Sequence, residues 1–361
     1  FNDTATTEIY TLSLHDALPI SIPTRRKNHA KASKDVPPSL PEGLQARCQA
    51  SAPAQPGLRS THARRNPSLV PCYSPLEGYR SGTGGITFGA LNSGTGLPMK
   101  LPCGRCIGCR LERSRQWAMR MMHEAQLHEE NCFLTLTYAD EHVPAFGSLD
   151  RRAFPLFMKR LRKTGVQARY FHCGEYGDQS GRPHYHACLF GHSFPDRQKW
   201  AVRKGNPVWR SDELERLWPY GNSEIGSLTF ESAAYVARYV TKKVTGDLAD
   251  SHYERCDPST GELVQIEPEY ATMSRRPGIG AGWFEKFGTD VFPSDEVVVN
   301  GHPSKPPRFY DERLRASDPE SFERIRANRR LRRSRDDETP ERLEARKVCA
   351  QARLSLSPRG L

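Results

Sequence analysis

The sequence contains no apolar run approaching the ~18 residues needed to span a bilayer, and no charged-then-apolar leader of the secretory kind. A G-x4-G-K-[ST] phosphate loop is also missing, which argues against a fused ATP-driven motor. No internal repeat is present, so solenoid and propeller architectures are excluded. Acidic residues are in the minority, 42 Asp and Glu against 53 Lys and Arg, for a formal net charge of +11. That balance favours a polyanionic partner, nucleic acid or an anionic surface, with a merely basic soluble protein as the alternative. Apolar material is not scarce. Hydrophobic residues make up 37% and aromatics 9%, enough for a core, so the chain is not wholly disordered. Its 361 residues suffice for one large domain or two small ones.

The first 69 residues stand apart. Asn2 to Ile20 (NDTATTEIYTLSLHDALPI) resembles, over its whole length, the conceptual translation of a sequencing-library adapter, and is set aside like any fusion scar. Residues 21–69 scatter Pro, Ser, Ala and Arg without apolar periodicity and read as disorder or read-through. The expectation is a product that begins near Val70. Residues 1–69 hold nine of the 53 basic and five of the 42 acidic groups, so the remainder keeps 44 against 37, still +7.

Further along, 70–110 is a Cys-containing segment rich in Gly, Ser and Thr. Arg110 to Glu130 places Trp117, Met121 and Ala125 at helical spacing, with Ala118 and Met122 beside them. Asn131 to Tyr138 (NCFLTLTY) is dense in β-branched and aromatic residues and reads as a buried strand. Leu149 to Lys163 reads as a helix N-capped by Asp150, its Phe154, Phe157, Met158 and Leu161 facing a sheet. Strands are expected over 168–177, 182–190 and 222–229, and helices over 211–218 and 231–243. Such mixing around a central hairpin predicts an α+β fold with an antiparallel sheet. Residues 251–309 form an extension with loops, and 310–361 a charged helical tail without a core-facing stripe.

RPHYHACLF (182–190) sets His184 and His186 two apart in an apolar strand, so both imidazoles share one face and Tyr185 takes the other. If DQSG (178–181) closes a four-residue hairpin, Gly177 pairs with Arg182 and Glu175 falls opposite His184. Opposed residues lie about 4.5–5.5 Å apart at Cβ, close enough to share an ion. Two imidazoles and a carboxylate suit a divalent ion such as Mg2+ or Mn2+ acting on phosphate oxygens. The competing reading has Glu175 salt-bridging Arg182 or capping the turn. AAYVARYVTKK (233–243) reads as a helix with Tyr235 and Tyr239 four apart on one face and Lys242 near them, while Val236, Val240 and Val244 form the adjacent packing stripe. Tyrosines so spaced either pack or act as paired nucleophiles, which a nearby cation would favour as phenolates.

Three blocks in this order, FLTLTY (133–138), GEYGDQSGRPHYHACLF (174–190) and YVARYVTKK (235–243), resemble the HUH endonuclease superfamily, specifically the rolling-circle replication initiators of gokushovirus-type Microviridae. PCYSPLEGYR, PCGRCIGCR and the Arg-rich tail are similar to the same family. The resemblance covers most of 70–361 and implies an HUH nuclease core over 111–250, an antiparallel sheet bearing the HxH strand with flanking helices. It implies His184 and His186 as metal ligands with Glu175 as the third, Tyr235 and Tyr239 as nucleophiles, and Lys242 as an assisting cation. Thr135 and Thr137 would be structural or contact DNA. The implied activity is nicking of single-stranded origin DNA through a 5′-phosphotyrosine link, followed by rejoining. The implied partners are that DNA and a host replication helicase, with no membrane, in the bacterial host cytoplasm.

Cys103, Cys106 and Cys109 form a C-x2-C-x2-C run, with Cys72 the nearest candidate for a fourth ligand. The run reads as a structural zinc site, another soft metal or a cluster, or a loop of reduced cysteines. RANRRLRRSR (326–335) is either a track for DNA backbone or a solvated helix. Two alternatives to the initiator remain: a related relaxase or single-strand transposase, and a non-enzymatic zinc-bearing DNA-binding protein.

Overall fold

The computed structural model describes residues 72–83, 85–90, 93–177, 180–203, 205–238, 248–257, 259–332 and 338–356. The first 69 residues, Tyr239, Val240, Lys242 and Val244 lie outside the described residues. The Gly- and Thr-rich segment after Cys72 forms a small antiparallel sheet of β1 (Leu76–Ser81), β2 (Ile86–Thr87) and β3 (Ser93–Leu101), in the order β2-β1-β3. Then come α1 (Ile107–Ala125), β4 (Asn131–Thr137), α2 (Ala153–Lys163), β5 (Arg169–Tyr176) and β6 (Pro183–Phe190). They are followed by β7 (Gln198–Arg203), β8 (Asn206–Arg210), α3 (Asp212–Leu217), β9 (Ser223–Gly226) and α4 (Phe230–Arg238). The remainder holds α5 (Leu248–His252), β10 (Glu254–Cys256), β11 (Leu263–Gln265), β12 (Tyr270–Met273) and α6 (Ala281–Val291). It closes with β13 (Val297–Val299), β14 (His302–Ser304), α7 (Arg308–Ser317), α8 (Pro319–Leu331) and α9 (Pro340–Leu356).

Seven strands form one antiparallel sheet in the order β12-β5-β6-β4-β9-β8-β7. The fold is therefore mixed α+β, a large antiparallel sheet with flanking helices. Side-chain alternation decides which helices lie on which face. From β4 and β6, Leu134, Leu136, Tyr185, Ala187 and Leu189 point to one core, where Phe154, Phe157, Met158 and Leu161 of α2 and Leu214 of α3 cover them. The opposite faces of β5 and β6 present Phe171, Cys173, Cys188 and Phe190 to Ala118 and Met121 of α1 and Ala233, Val236 and Ala237 of α4. His184 and His186 share the parity of Cys188, and so fall on the α1/α4 side.

Three expectations are corrected. Helix α2 begins at Ala153 rather than Leu149, because Asp150 Oδ1 accepts from the Arg152 amide and caps a turn ahead of the helix. The 198–210 segment, not expected as strands, is a hairpin that adds β7 and β8 to the sheet edge. The charged tail does carry a core-facing set: Tyr310, Leu314 and Ile325 pack with Met119, Phe284 and Val291. Sparse apolar residues among long basic stems disguise that stripe in the sequence. No helix among the described residues is long and apolar enough to cross a membrane.

Candidate metal and tyrosine site

The hairpin between β5 and β6 closes as its length predicts. The Gly177 amide donates to the Arg182 carbonyl at 3.0 Å, and Glu175 stands opposite His184 with Cys173 opposite His186. Three side chains then converge on a single atom, Glu175 Oε1. His184 Nε2 lies 2.8 Å from it and His186 Nε2 2.7 Å. The Tyr235 hydroxyl donates to it at 2.9 Å. Glu175 is buried, and its second oxygen, Oε2, has no hydrogen-bond partner among the described residues. Arg182 does not compete for Glu175, since it pairs with Asp140 and donates to the Tyr138 carbonyl at 2.8 Å.

Each imidazole is held at its far nitrogen. His184 Nδ1 meets the Arg182 carbonyl at 3.0 Å, and His186 Nδ1 meets Thr135 Oγ1 at 3.1 Å. The β4–β6 register sets Thr135 directly against His186. Such outer bonds select the tautomer whose Nε2 lone pair faces inward, as metal-binding histidines require. A small divalent ion holds donors at about 2.1 Å, which puts adjacent donors about 3 Å apart. The observed 2.7 and 2.8 Å separations need only slight expansion to admit one, and the buried orphan oxygen supplies further acceptor capacity. The residues present fit Mg2+ or Mn2+.

Electrostatics separate the carboxyl from the phenol. Burial raises the Glu175 carboxyl, but the neighbouring His186 and His184 outweigh burial and bring it down to about 2. Tyr235 moves the other way: burial, then the Glu175 charge and hydrogen bond, push its phenol well above the ordinary tyrosine range. Its ring meets His186 edge-on with centroids 5.0 Å apart. The Arg238 guanidinium carbon lies 4.9 Å from the Tyr235 ring centre.

Helix α4 is fixed where it presents Tyr235. Thr229 and Ser232 cap its start reciprocally, amide to hydroxyl, at 2.8 and 3.2 Å. Ser114 of α1 donates to the Ala234 carbonyl at 2.8 Å. Of the predicted site, Glu175, His184, His186 and Tyr235 are brought together, while Tyr239 and Lys242 lie outside the described residues. Arg238 escaped the sequence reading, although it follows Tyr235 by one helical turn and that spacing marks it.

The cysteines also assemble. Cys72, Cys103, Cys106 and Cys109 bring their sulfurs within 4.8 Å of one another, and all four are free thiols.

The family model for replication-associated protein ORF2 matches residues 131–244, a span that runs from β4 past α4. Replication-associated protein VP4 of Bdellovibrio phage phiMH2K is 35% identical over 264 residues, covering 70% of this chain and 79% of that protein. The chain belongs to the family of phage replication-associated proteins. Within that family, ORF2 of Spiroplasma virus 4 is 34% identical over 230 residues, covering 59% of this chain and 67% of its own length. ORF4 of Chlamydia phage 1 is 31% identical over 227 residues, and the match spans 53% of it. No solved structure matches this replication-associated protein.

Proposed function

We propose that this replication-associated protein is an HUH endonuclease that initiates rolling-circle replication of a phage genome by nicking single-stranded origin DNA through a tyrosine. The observation that carries the proposal is the convergence of His184, His186 and Tyr235 on Glu175 Oε1. A nucleophile hydrogen-bonded to a candidate metal ligand is already placed where a phosphate bound to that metal would lie.

His184, His186 and Glu175 would hold Mg2+ or Mn2+, which when bound withdraws charge from the phosphate oxygens. Glu175 orients the Tyr235 hydroxyl, and Arg238, 4.9 Å from the ring, favours its ionised form. The phenolic oxygen bonds to phosphorus and the bond to the 3′ oxygen breaks. The proton lost by the phenol is matched by one gained on the departing oxygen. The products are a 5′-phosphotyrosine and a free 3′-hydroxyl. One phosphodiester replaces another, so rejoining needs no nucleotide cofactor. Tyr239, four residues on, serves as the second nucleophile, and Lys242 is the additional cation.

The partners that follow are single-stranded origin DNA and a host replication helicase in the bacterial cytoplasm. The basic tail contributes to DNA binding less fully than its sequence implies, because Arg329 is held by both Asp295 and Asp311. The test uses circular single-stranded DNA carrying the origin, with EDTA, Mg2+ or Mn2+. Nicking is expected only with a divalent ion. The double variant His184→Ala/His186→Ala loses it while DNA affinity stays within about twofold. Absence of nicking with either ion contradicts the proposal.

A further inference from the structure

The small sheet β1–β3 has no core of its own. Among its described residues only Gly78 is buried, while Leu76, Ile86, Phe88 and Leu97 are 37%, 54%, 67% and 72% exposed. A sheet this small cannot bury enough apolar surface to order itself, and units of this kind depend on a metal or a covalent staple. The four sulfurs lie where such a staple is needed. The pairing of Leu76 with Leu101 brings the chain before β1 and the chain after β3 to the same end of the sheet. There Cys72 meets Cys103 and Cys106 of the loop entering α1, and Cys109 of the first helical turn.

Local geometry matches that of a thiolate–zinc knuckle. Gly104 adopts φ +73, which turns the loop so that the Cys106 amide donates to Cys103 Sγ at 3.3 Å. The Cys103 amide donates to Cys72 Sγ at 3.1 Å, and the Tyr73 amide to Cys106 Sγ at 3.3 Å. Amides aimed at sulfur stabilise thiolates, as does the N-terminus of α1, which carries no acidic residue in its first turn and no side-chain cap. A tetrahedral zinc with bonds of about 2.3 Å places its sulfurs about 3.8 Å apart. Cys72 and Cys106 are 4.0 Å apart, and all four sulfurs fall within 4.8 Å.

We infer that Cys72, Cys103, Cys106 and Cys109 bind one structural zinc ion that pins the β1–β3 sheet to the start of α1. This site is separate from the Glu175–His184–His186 group and does not rest on the nuclease reading. Metal analysis of the full chain purified without chelator is expected to give about one zinc per chain. Cys103→Ser/Cys106→Ser loses it, whereas His184→Ala/His186→Ala and Cys349→Ser keep it. Cobalt exchanged into the wild-type chain shows thiolate-to-cobalt charge transfer and an intense tetrahedral d–d band. Chelation speeds amide exchange in β1 and β3 by at least tenfold and leaves β4–β6 protected. Zinc well below one per chain, zinc that follows the histidines instead of the cysteines, or iron with inorganic sulfide in its place overturns the inference.

Discussion

The Tyr235 hydroxyl donates to Glu175 Oε1 at 2.9 Å, the same oxygen that His184 and His186 approach at 2.8 and 2.7 Å. A phenol in that position is kept protonated by burial and by the Glu175 charge. A dication among the same groups reverses the sign of the local field and favours phenolate. Glu175→Gln keeps the side-chain shape and removes both the charge and a ligand. Its Mn2+ affinity, measured by calorimetry, is expected to fall about 100-fold or more, with nicking falling in parallel. Unchanged affinity would remove Glu175 from the ligand set.

Thr135 offers a milder change. Its hydroxyl meets His186 Nδ1 at 3.1 Å from the neighbouring strand. Thr135→Val retains the strand-forming shape and releases the imidazole. Metal affinity should drop about 10- to 100-fold, the range for losing an outer hydrogen bond to a ligating histidine. Thr135→Ser restores most of it, an outcome that a purely packing role for Thr135 would not produce.

Acid stability depends on histidines remote from the site. His123 stacks on Trp283 with ring centroids 3.7 Å apart, and its Nδ1 meets the Tyr310 hydroxyl at 2.7 Å. Burial lowers its pKa from 6.5 to about 4, and that of fully buried His172 to about 3. Below pH 6.5 the unfolded chain binds protons that the folded chain refuses, so stability is complete above pH 6.5 and declines as pH falls toward 4. The His123 share is about 2 kcal/mol between pH 7 and pH 5. Thermal melts in EDTA should show that decline in the wild type and a shallower one in His123→Phe, which preserves the ring stack.

The site was more legible in the sequence than the fold around it. A strand's two-residue period places His184 and His186 together, and the length of the DQSG loop alone sets Glu175 against His184. Both are local constraints that tertiary structure had no means to override. The β7–β8 hairpin was not legible because QKWAVR leaves Trp200 and Val202 exposed, so no buried alternation marks it. The core-facing stripe of α7 and α8 was hidden for a related reason: Tyr310, Leu314 and Ile325 are isolated among Arg and Glu. The bond from Tyr235 to Glu175 joins residues 60 apart in the chain and needs α4 packed over β5 and β6, a relation that no local pattern encodes.

The central claim is that a tyrosine of α4 or just beyond it becomes covalently joined to DNA. The most direct measurement incubates the full chain with origin-bearing single-stranded DNA labelled 3′ to the cleavage point, in Mn2+, and resolves the products under denaturing conditions. The account predicts a labelled protein–DNA adduct whose proteolytic peptide carries the nucleotide on Tyr235 or Tyr239, and which disappears in Tyr235→Phe/Tyr239→Phe. Cleavage that leaves no adduct, or an adduct that persists in the double variant, would contradict it.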